Sequence, residues 1–148
     1  MKKSLKRIIL LGLILFFGYL VYLNHLVKST FSSEIQESEK IIQIEYPIEK
    51  YPKEMVNMLL LVEDQSFFQH RGVDFKEIAR VFYGYFFRDK ELRGASTITQ
   101  QLIKNTLLSS DKTLTRKIDE ALMAMLMELN YEKNYILEIG RASCRERV

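Results

Sequence analysis

Near the amino end an apolar run extends from Ile8 to Leu23 and continues, with Asn24 and His25 interrupting, to Val27. As a helix these residues would be ~30 Å long, about the hydrocarbon thickness of a bilayer. Lys2, Lys3, Lys6 and Arg7 precede the run. A cleavable signal peptide has the same basic start, but its apolar stretch is usually ~7 to 15 residues and ends in small residues. Here the run is longer and passes into Tyr19, Tyr22, Asn24 and His25, so an uncleaved anchor is expected. Four cations before it, and only Lys28 just after, predict a cytoplasmic amino end (residues 1–7) and an extracytoplasmic remainder. His25 is read as an interfacial residue with no ligand role.

Beyond the anchor the chain has room for one modest domain. A hydrophobic share of 47% excludes a disordered chain. A single Cys excludes a disulfide framework and a Cys-based zinc cluster. Residues 28–45 read as a polar linker, with one short strand over the alternating Ile41 to Tyr46. Pro52 suits a first helical position, and Met55, Met58, Leu59 and Val62 recur at helical spacing, which predicts a helix to about Phe68. Asp74 with Glu77 resembles a capping box and opens a helix to about Phe87. Ser96 is expected to cap another over Thr97 to Leu107. A fourth spans Thr113 to Asn130, with Ile118, Leu122, Met125 and Leu126 on its apolar face, and a fifth starts near Glu132. With sparse Gly and Pro and no strand-rich block, the fold class is all-α.

After Glu138 the pattern changes. Ile139 to Val148 has no apolar periodicity and looks like the translation of a common sequencing-adapter oligonucleotide, so residues 139–148 are expected to be a non-native tail, with a basic disordered tail as the alternative. Cys144 within it supports no redox argument.

Three polar groups fit poorly into a simple core. Glu63 and Asp64 end the apolar stretch Leu59 to Val62. A carboxylate there can be desolvated into a general base or acid, or be an exposed acid pair. Ser96, Thr97, Thr99, Gln100, Gln101, Lys104 and Asn105 gather hydrogen-bonding groups on one helix, as a substrate face or a solvated one. Arg116 and Lys117 lie four and three residues before Glu120, as in a surface ion-pair ladder worth only ~0.3 to 0.5 kcal/mol per pair.

In order along the chain stand Glu63-Asp64-x-x-Phe67-x-x-His70-x-Gly72-x-Asp74, Gly94-x-Ser96-Thr97-Ile98-x-Gln100-Gln101-Leu102-x-Lys104-Asn105, Arg116-Lys117-x-x-Glu120 and Lys133-x-x-Ile136-Leu137-Glu138. The series resembles the peptidoglycan glycosyltransferases of glycosyltransferase family 51 over residues 46–138. Members of that family continue past the last motif with a Tyr-Leu-Asn segment and further helices, so the domain is expected to be incomplete here.

The resemblance implies a lysozyme-like α-helical domain that polymerises lipid II into glycan strands and releases polyprenyl pyrophosphate. It implies Glu63 as catalytic base and Glu120 as the second essential carboxylate. Lys104, Arg116 and Lys117 match motif cations near the diphosphates, and Arg80 and Lys112 stand at positions often basic in relatives. Ser96, Gln100 and Gln101 correspond to polar substrate contacts. Asp119 stands where some relatives carry Lys. His70, Gly72 and Asp74 are read as structural.

Phe82, Tyr83, Phe86 and Phe87, with Tyr85 and the basic Arg80, Arg88, Lys90 and Arg93, fall where the family has a membrane-dipping jaw, so a bilayer contact is expected. The partners implied are lipid II, the growing glycan strand, the bilayer and other cell-wall synthesis proteins, at the bacterial cytoplasmic membrane. No cation-binding motif is visible, and a divalent cation (Mg or Mn), if used, would be ligated partly by substrate. A membrane-tethered muramidase-like hydrolase and a non-catalytic assembly scaffold are the competing readings.

The net charge of +3 does not point to nucleic acid. Residues 1–7 carry +4, residues 139–148 carry +2, and residues 28–138, with 15 basic and 18 acidic side chains, carry −3. Useful positive charge is therefore local to the motifs.

Overall fold

A computed structural model describes residues 2–45, 50–88, 94–109, 111 and 113–145, with backbone only at 2–3, 33–45 and 141–145. Six helices follow one another: α1 (Lys2–Glu45), α2 (Lys53–Glu63), α3 (Phe75–Arg88), α4 (Ile98–Thr106), α5 (Leu114–Asn130) and α6 (Lys133–Arg145). No strand occurs among the described residues; the one bridge, between Arg71 and Val73, closes a turn. The all-α expectation holds.

The core is built where α4, α5 and α6 meet, with α1 laid against α5. Ile98, Leu102 and Ile103 come from α4, Met123, Ala124 and Met127 from α5, and Ile136, Leu137 and Ile139 from α6. Phe67 enters from the turn after α2, and Leu23, Val27 and Phe31 enter from α1. Each of the larger side chains contributes about 1.5–3 kcal/mol by leaving water. By contrast α2 buries no residue and α3 only Gly84.

Several expected boundaries move, each for a local reason. The expected linker and strand at 28–45 are helical, because α1 runs unbroken to Glu45 and Phe31 packs edge-on against Tyr131 at 6.3 Å; Tyr46 lies outside the described residues. The anchor expected over 8–27 keeps an outward apolar surface from Leu5 to Tyr22, but Leu23 and Val27 turn into the domain core. The segment Ser4–Ser32 is long and apolar enough to cross a membrane.

The helix expected to reach Phe68 stops at Glu63, because Asp64 leaves helical geometry (φ −162°, ψ 79°) to place its carboxylate elsewhere. Pro52 is the N-cap of α2, so the helix starts at Lys53, one residue later than expected. Ser96 is not the cap of α4. Thr97 is, in a reciprocal capping box with Gln100. The apolar face expected on α5 is rotated: Ile118 is exposed, and Glu120, Met123, Ala124 and Met127 point inward. The helix expected to end at Glu138 continues to Arg145, with Ile139 in the core.

Gly72 is the one glycine with positive φ among the described residues, at 83°. A Cβ there would stand 2.6 Å from the Ala124 carbonyl carbon and oxygen and from the Met125 nitrogen. Backbone cannot move aside as a side chain can, so the turn is compatible only with glycine. The Gly72 carbonyl also accepts the Thr97 hydroxyl at 2.6 Å, which ties the turn to the start of α4. Gly72→Ala is expected to destabilise the chain by about 3 kcal/mol, from the strained φ and the backbone clash together. Thermal unfolding in detergent checks this; an unchanged melting temperature would show that the turn and α5 can separate without cost.

Candidate active site

The site is organised around the amino end of α4. Asp64, at the end of α2 and only 8% exposed, accepts the Ile98 backbone N–H at 3.1 Å through Oδ2. That amide opens α4, where helix dipole and free donors both favour an anion. His70 Nε2 lies 3.0 and 2.9 Å from the two Asp64 oxygens. Because an ionised carboxylate only accepts, Nε2 carries the proton. On the other side of the ring, Nδ1 is 4.0 Å from Glu128, which accepts the Thr99 hydroxyl at 2.6 Å and Lys133 Nζ at 2.8 Å. This chain of buried polar groups clamps α2, α4, α5 and α6 together.

Asp74 closes the same turn. Its Oδ1 accepts the Glu77 N–H at 2.9 Å as the cap of α3, and its Oδ2 accepts the Ser66 hydroxyl. Burial by itself raises the Asp74 carboxyl, but the hydrogen bonds from Ser66 and from the Glu77 and Lys76 amides, with the charge of His70, outweigh it and hold Asp74 below the usual carboxylate range. A depressed folded-state pKa stabilises the fold at all pH values above the unfolded value of ~3.9. That contribution disappears as pH falls through the folded value. Melting temperatures recorded from about pH 6 to 3 are expected to fall less steeply in Asp74→Asn than in the parent; parallel curves would refute the assignment.

Above this clamp stand the candidate catalytic residues. Glu63 ends α2 on an exposed edge beside the uncovered Leu59 and Val62, and its Oε2 accepts Gln101 Nε2 at 2.9 Å. The carboxylate withdrawn from water at this position is therefore its neighbour Asp64, while Glu63 stays accessible with one amide to orient it.

Glu120 is the opposite case, 1% exposed in the middle of the core face of α5. Its Oε2 accepts Arg116 Nη1 at 2.8 Å and its Oε1 accepts Lys117 Nζ. Lys117 Nζ also donates to Ser96 Oγ at 2.8 Å, which brings α5 to the residue just before the Thr97 cap of α4. The expected surface ladder is thus a buried carboxylate holding two cations, one side chain 15% and the other 42% exposed. Desolvation makes such a pairing far more sensitive to loss of one partner than a surface ladder is.

The remaining sequence-derived site residues separate. Gln101 reaches Glu63 and Ser96 reaches Lys117, so each joins one of the two carboxylate clusters to α4 or its approach. Gln100 does not face outward: it is 2% exposed, and its side chain accepts the Thr97 N–H at 3.1 Å in the capping box. Lys104 is exposed on α4 and makes no ion pair among the described residues. Arg80 is exposed on α3 and pairs with Glu77. Lys112, Lys90 and Arg93 lie outside the described residues.

Phe82, Tyr83, Phe86 and Phe87 all project from the domain on α3. Phe82 stacks on Phe86 and Tyr83 on Phe87, and Arg88 lies 5.7 Å from the Tyr83 ring centre. Asp119 accepts the hydroxyl of Tyr19, from α1, at 2.6 Å.

Residue pattern alone does not reveal the roles of Thr99 and Glu128, and it shows Asp64 only as half of an acid pair. One signal exists for Glu128: an acid in the last turns of α5 opposes the helix dipole, which a buried partner must offset. Its partner Thr99 is too distant along the chain for any local pattern to show. Two hollows of about 330 and 610 Å³ flank His70, and neither is lined by Glu63 or Glu120. Among the described residues, no three His, Cys, Asp or Glu side chains gather to hold a metal ion.

The family model described as Transglycosylase matches residues 28–139, beginning within the segment expected to be linker, where α1 already packs on the core. Penicillin-binding protein 1B of Haemophilus influenzae is 37% identical over 102 residues, 69% of this chain and 13% of that protein. Penicillin-binding protein 1F of Bacillus subtilis is 39% identical over 92 residues, 62% of this chain and 13% of the relative. Penicillin-binding protein 1A of Neisseria lactamica is 45% identical over 89 residues, 60% of this chain and 11% of the relative. The chain thus spans about an eighth of the length of these relatives, and the two carboxylates, their cations and the clamp all lie inside the region that the family model matches. On the extent of that match the chain belongs to the transglycosylase family, the peptidoglycan glycosyltransferases of glycosyltransferase family 51.

Proposed function

We propose that the protein elongates glycan strands from lipid II at the outer face of the cytoplasmic membrane. In this reaction the 4-hydroxyl of one lipid-linked disaccharide attacks the anomeric carbon of another, whose bond to polyprenyl pyrophosphate breaks with inversion. Glu63 takes the proton from the hydroxyl, and its accessibility and Gln101 partner suit that task. Pyrophosphate is a good leaving group, so cations can replace a general acid. The observation that carries the reading is the Glu120 cluster, in which one buried carboxylate holds Arg116 and Lys117 beside Ser96 with a net positive charge.

Lys104, exposed and without an ion pair among the described residues, is a further cation for the lipid-linked diphosphate. A divalent ion would draw its ligands mainly from the diphosphate oxygens, and the steps assigned to Glu63 and the cations do not depend on one. A hydrolase acting on neutral glycan would have no anion for the paired cations to meet.

Incubation of the membrane-reconstituted chain with labelled lipid II tests the proposal. Long glycan products with released polyprenyl pyrophosphate are expected. Shortening of preformed strands would replace it with a hydrolase, and retention of lipid II without product would replace it with a scaffold.

The aromatic side of α3 belongs to the same reading. Phe86 and Phe87 are 69% and 74% exposed, with Arg88 beside them, a composition suited to headgroup depth. The double variant Phe86→Ser/Phe87→Ser is expected to raise KM for lipid II by about tenfold, equivalent to ~1.4 kcal/mol of lost interfacial binding, with kcat little changed. Steady-state polymerisation kinetics check this, and an unchanged KM would remove α3 from the membrane contact.

A further inference from the structure

A second uncovered apolar face lies on α5. Leu114 is 78% exposed and Ile118 52%, and their spacing of four residues puts them on one side of the helix. At 3.6 residues per turn, Arg116 and Glu120 fall on the other side.

Where α5 stands relative to the apolar helix α1 is given by two hydrogen bonds. The Tyr19 hydroxyl donates to Asp119 Oδ1 at 2.6 Å, and Asn130 Nδ2 donates to Asn24 Oδ1 at 2.8 Å. Between these bonds α1 advances about 7.5 Å and α5 about 16.5 Å, both toward higher residue numbers. The helices therefore run in the same sense at a steep mutual inclination, and the first turns of α5 lie toward the amino end of α1. That end is where α1 presents its continuous apolar surface, up to Tyr22, before Leu23 and Val27 turn into the core. Asp119 is thus tied to a residue about 4.5 Å short of the end of that surface, and the turn before Asp119 descends further along it.

We propose that the first two turns of α5 are a membrane contact in their own right, with Leu114 and Ile118 in the headgroup and acyl boundary and their depth set by the Tyr19–Asp119 bond. The occupant of this face is lipid, because the tie from Asp119 to Tyr19 holds the first turns of α5 at the level of the exposed apolar surface of α1. Arg116 and Glu120, on the opposite side of α5, then face away from lipid, and Lys117 on the flank bonds Glu120 and Ser96 at headgroup height, where the diphosphate of a lipid-linked substrate would lie. Tyr19 and Asp119 are positioning residues in this arrangement and touch no substrate. The proposal rests on α1 spanning the bilayer.

Depth-dependent fluorescence quenching tests it in the full chain, carrying Cys144→Ser and reconstituted in phosphatidylcholine and phosphatidylglycerol vesicles. Single variants Leu13→Cys, Leu114→Cys, Ile118→Cys and Asn134→Cys, each labelled with a small polarity-sensitive fluorophore, are compared using lipids spin-labelled near the headgroup for 114, 118 and 134 and in the middle of the acyl chain for 13. Strong quenching is expected at 114 and 118, and none at the exposed Asn134 on α6. Adding Tyr19→Phe is expected to reduce quenching at 118 by about twofold while leaving 13 unchanged, because only the tie to α5 is lost. Quenching at 13 without quenching at 114 and 118 would overturn the proposal while leaving α1 as a membrane span. Absence at all three would overturn the span and the proposal with it. Quenching at 118 that is indifferent to Tyr19→Phe would remove the role given to that bond.

Discussion

Glu63→Gln is expected to reduce polymerisation of labelled lipid II by about a thousandfold or more, the range lost when a positioned general base is removed. The substitution keeps the size of the side chain and can still bond Gln101, so the α2–α4 junction should stand. Three features support that separation. Glu63 is exposed, its one bond is to an amide that can pair with Gln as readily as with Glu, and the buried tie between the helices is made by Asp64 instead. Melting temperature should therefore stay within about 1 °C of the parent, as for other surface substitutions away from structural features. Retained lipid II binding with lost turnover would complete the case. If Glu63→Gln polymerises at a rate near the parent's, the base must be sought elsewhere and the proposed chemistry fails.

Glu120→Gln should damage both activity and stability. With its carboxylate gone, Arg116 and Lys117 face each other across a neutral amide that is almost wholly buried. Breaking a buried pair by removing one partner costs ~3–5 kcal/mol, and the partial exposure of Lys117 argues for the lower end, about 3 kcal/mol. Activity should fall by about a hundredfold or more, because misplaced cations stabilise a departing diphosphate poorly.

A second substitution separates the two effects. Glu120→Gln/Lys117→Met removes the repulsion and should recover much of the lost stability, yet polymerisation should stay low because a diphosphate cation is also missing. Denaturant unfolding with lipid II turnover on the same samples checks both. Equal recovery of stability and activity would mean that Lys117 has no part in the reaction and that Glu120 serves the fold alone.

Much of the helical order is legible from periodicity and caps. Thr113 to Asn130, the start near Glu132 and the Asp74 cap are local features, visible because the i to i+4 geometry of a helix is written in neighbouring residues. The errors share a cause. Ser96 and Thr97 are equally good caps by composition, and long-range partners separate them: Ser96 accepts Lys117, while Thr97 bonds the Gly72 carbonyl and caps α4. Residues 28–45 are polar enough to pass for a linker, yet Phe31 gives the helix a reason to continue by packing on Tyr131. On α5, apolarity favours Ile118 for the interior, while the carboxylate of Glu120 takes a place there because two cations accompany it.

The candidate site divides in the same way. Residue types and spacing by themselves determined the helical class, the apolar helix at the amino end, the family, and Glu63, Lys104, Arg116, Lys117 and Glu120 as groups of interest. Tertiary structure decided which carboxylate is free and which is buried. Asp64 rather than Glu63 goes to the first amide of α4, Gln100 closes a cap, and Asp119 meets Tyr19 a hundred residues away. Desolvation and long-range pairing depend on what the fold brings within about 3 Å, and no sequence window carries that distance.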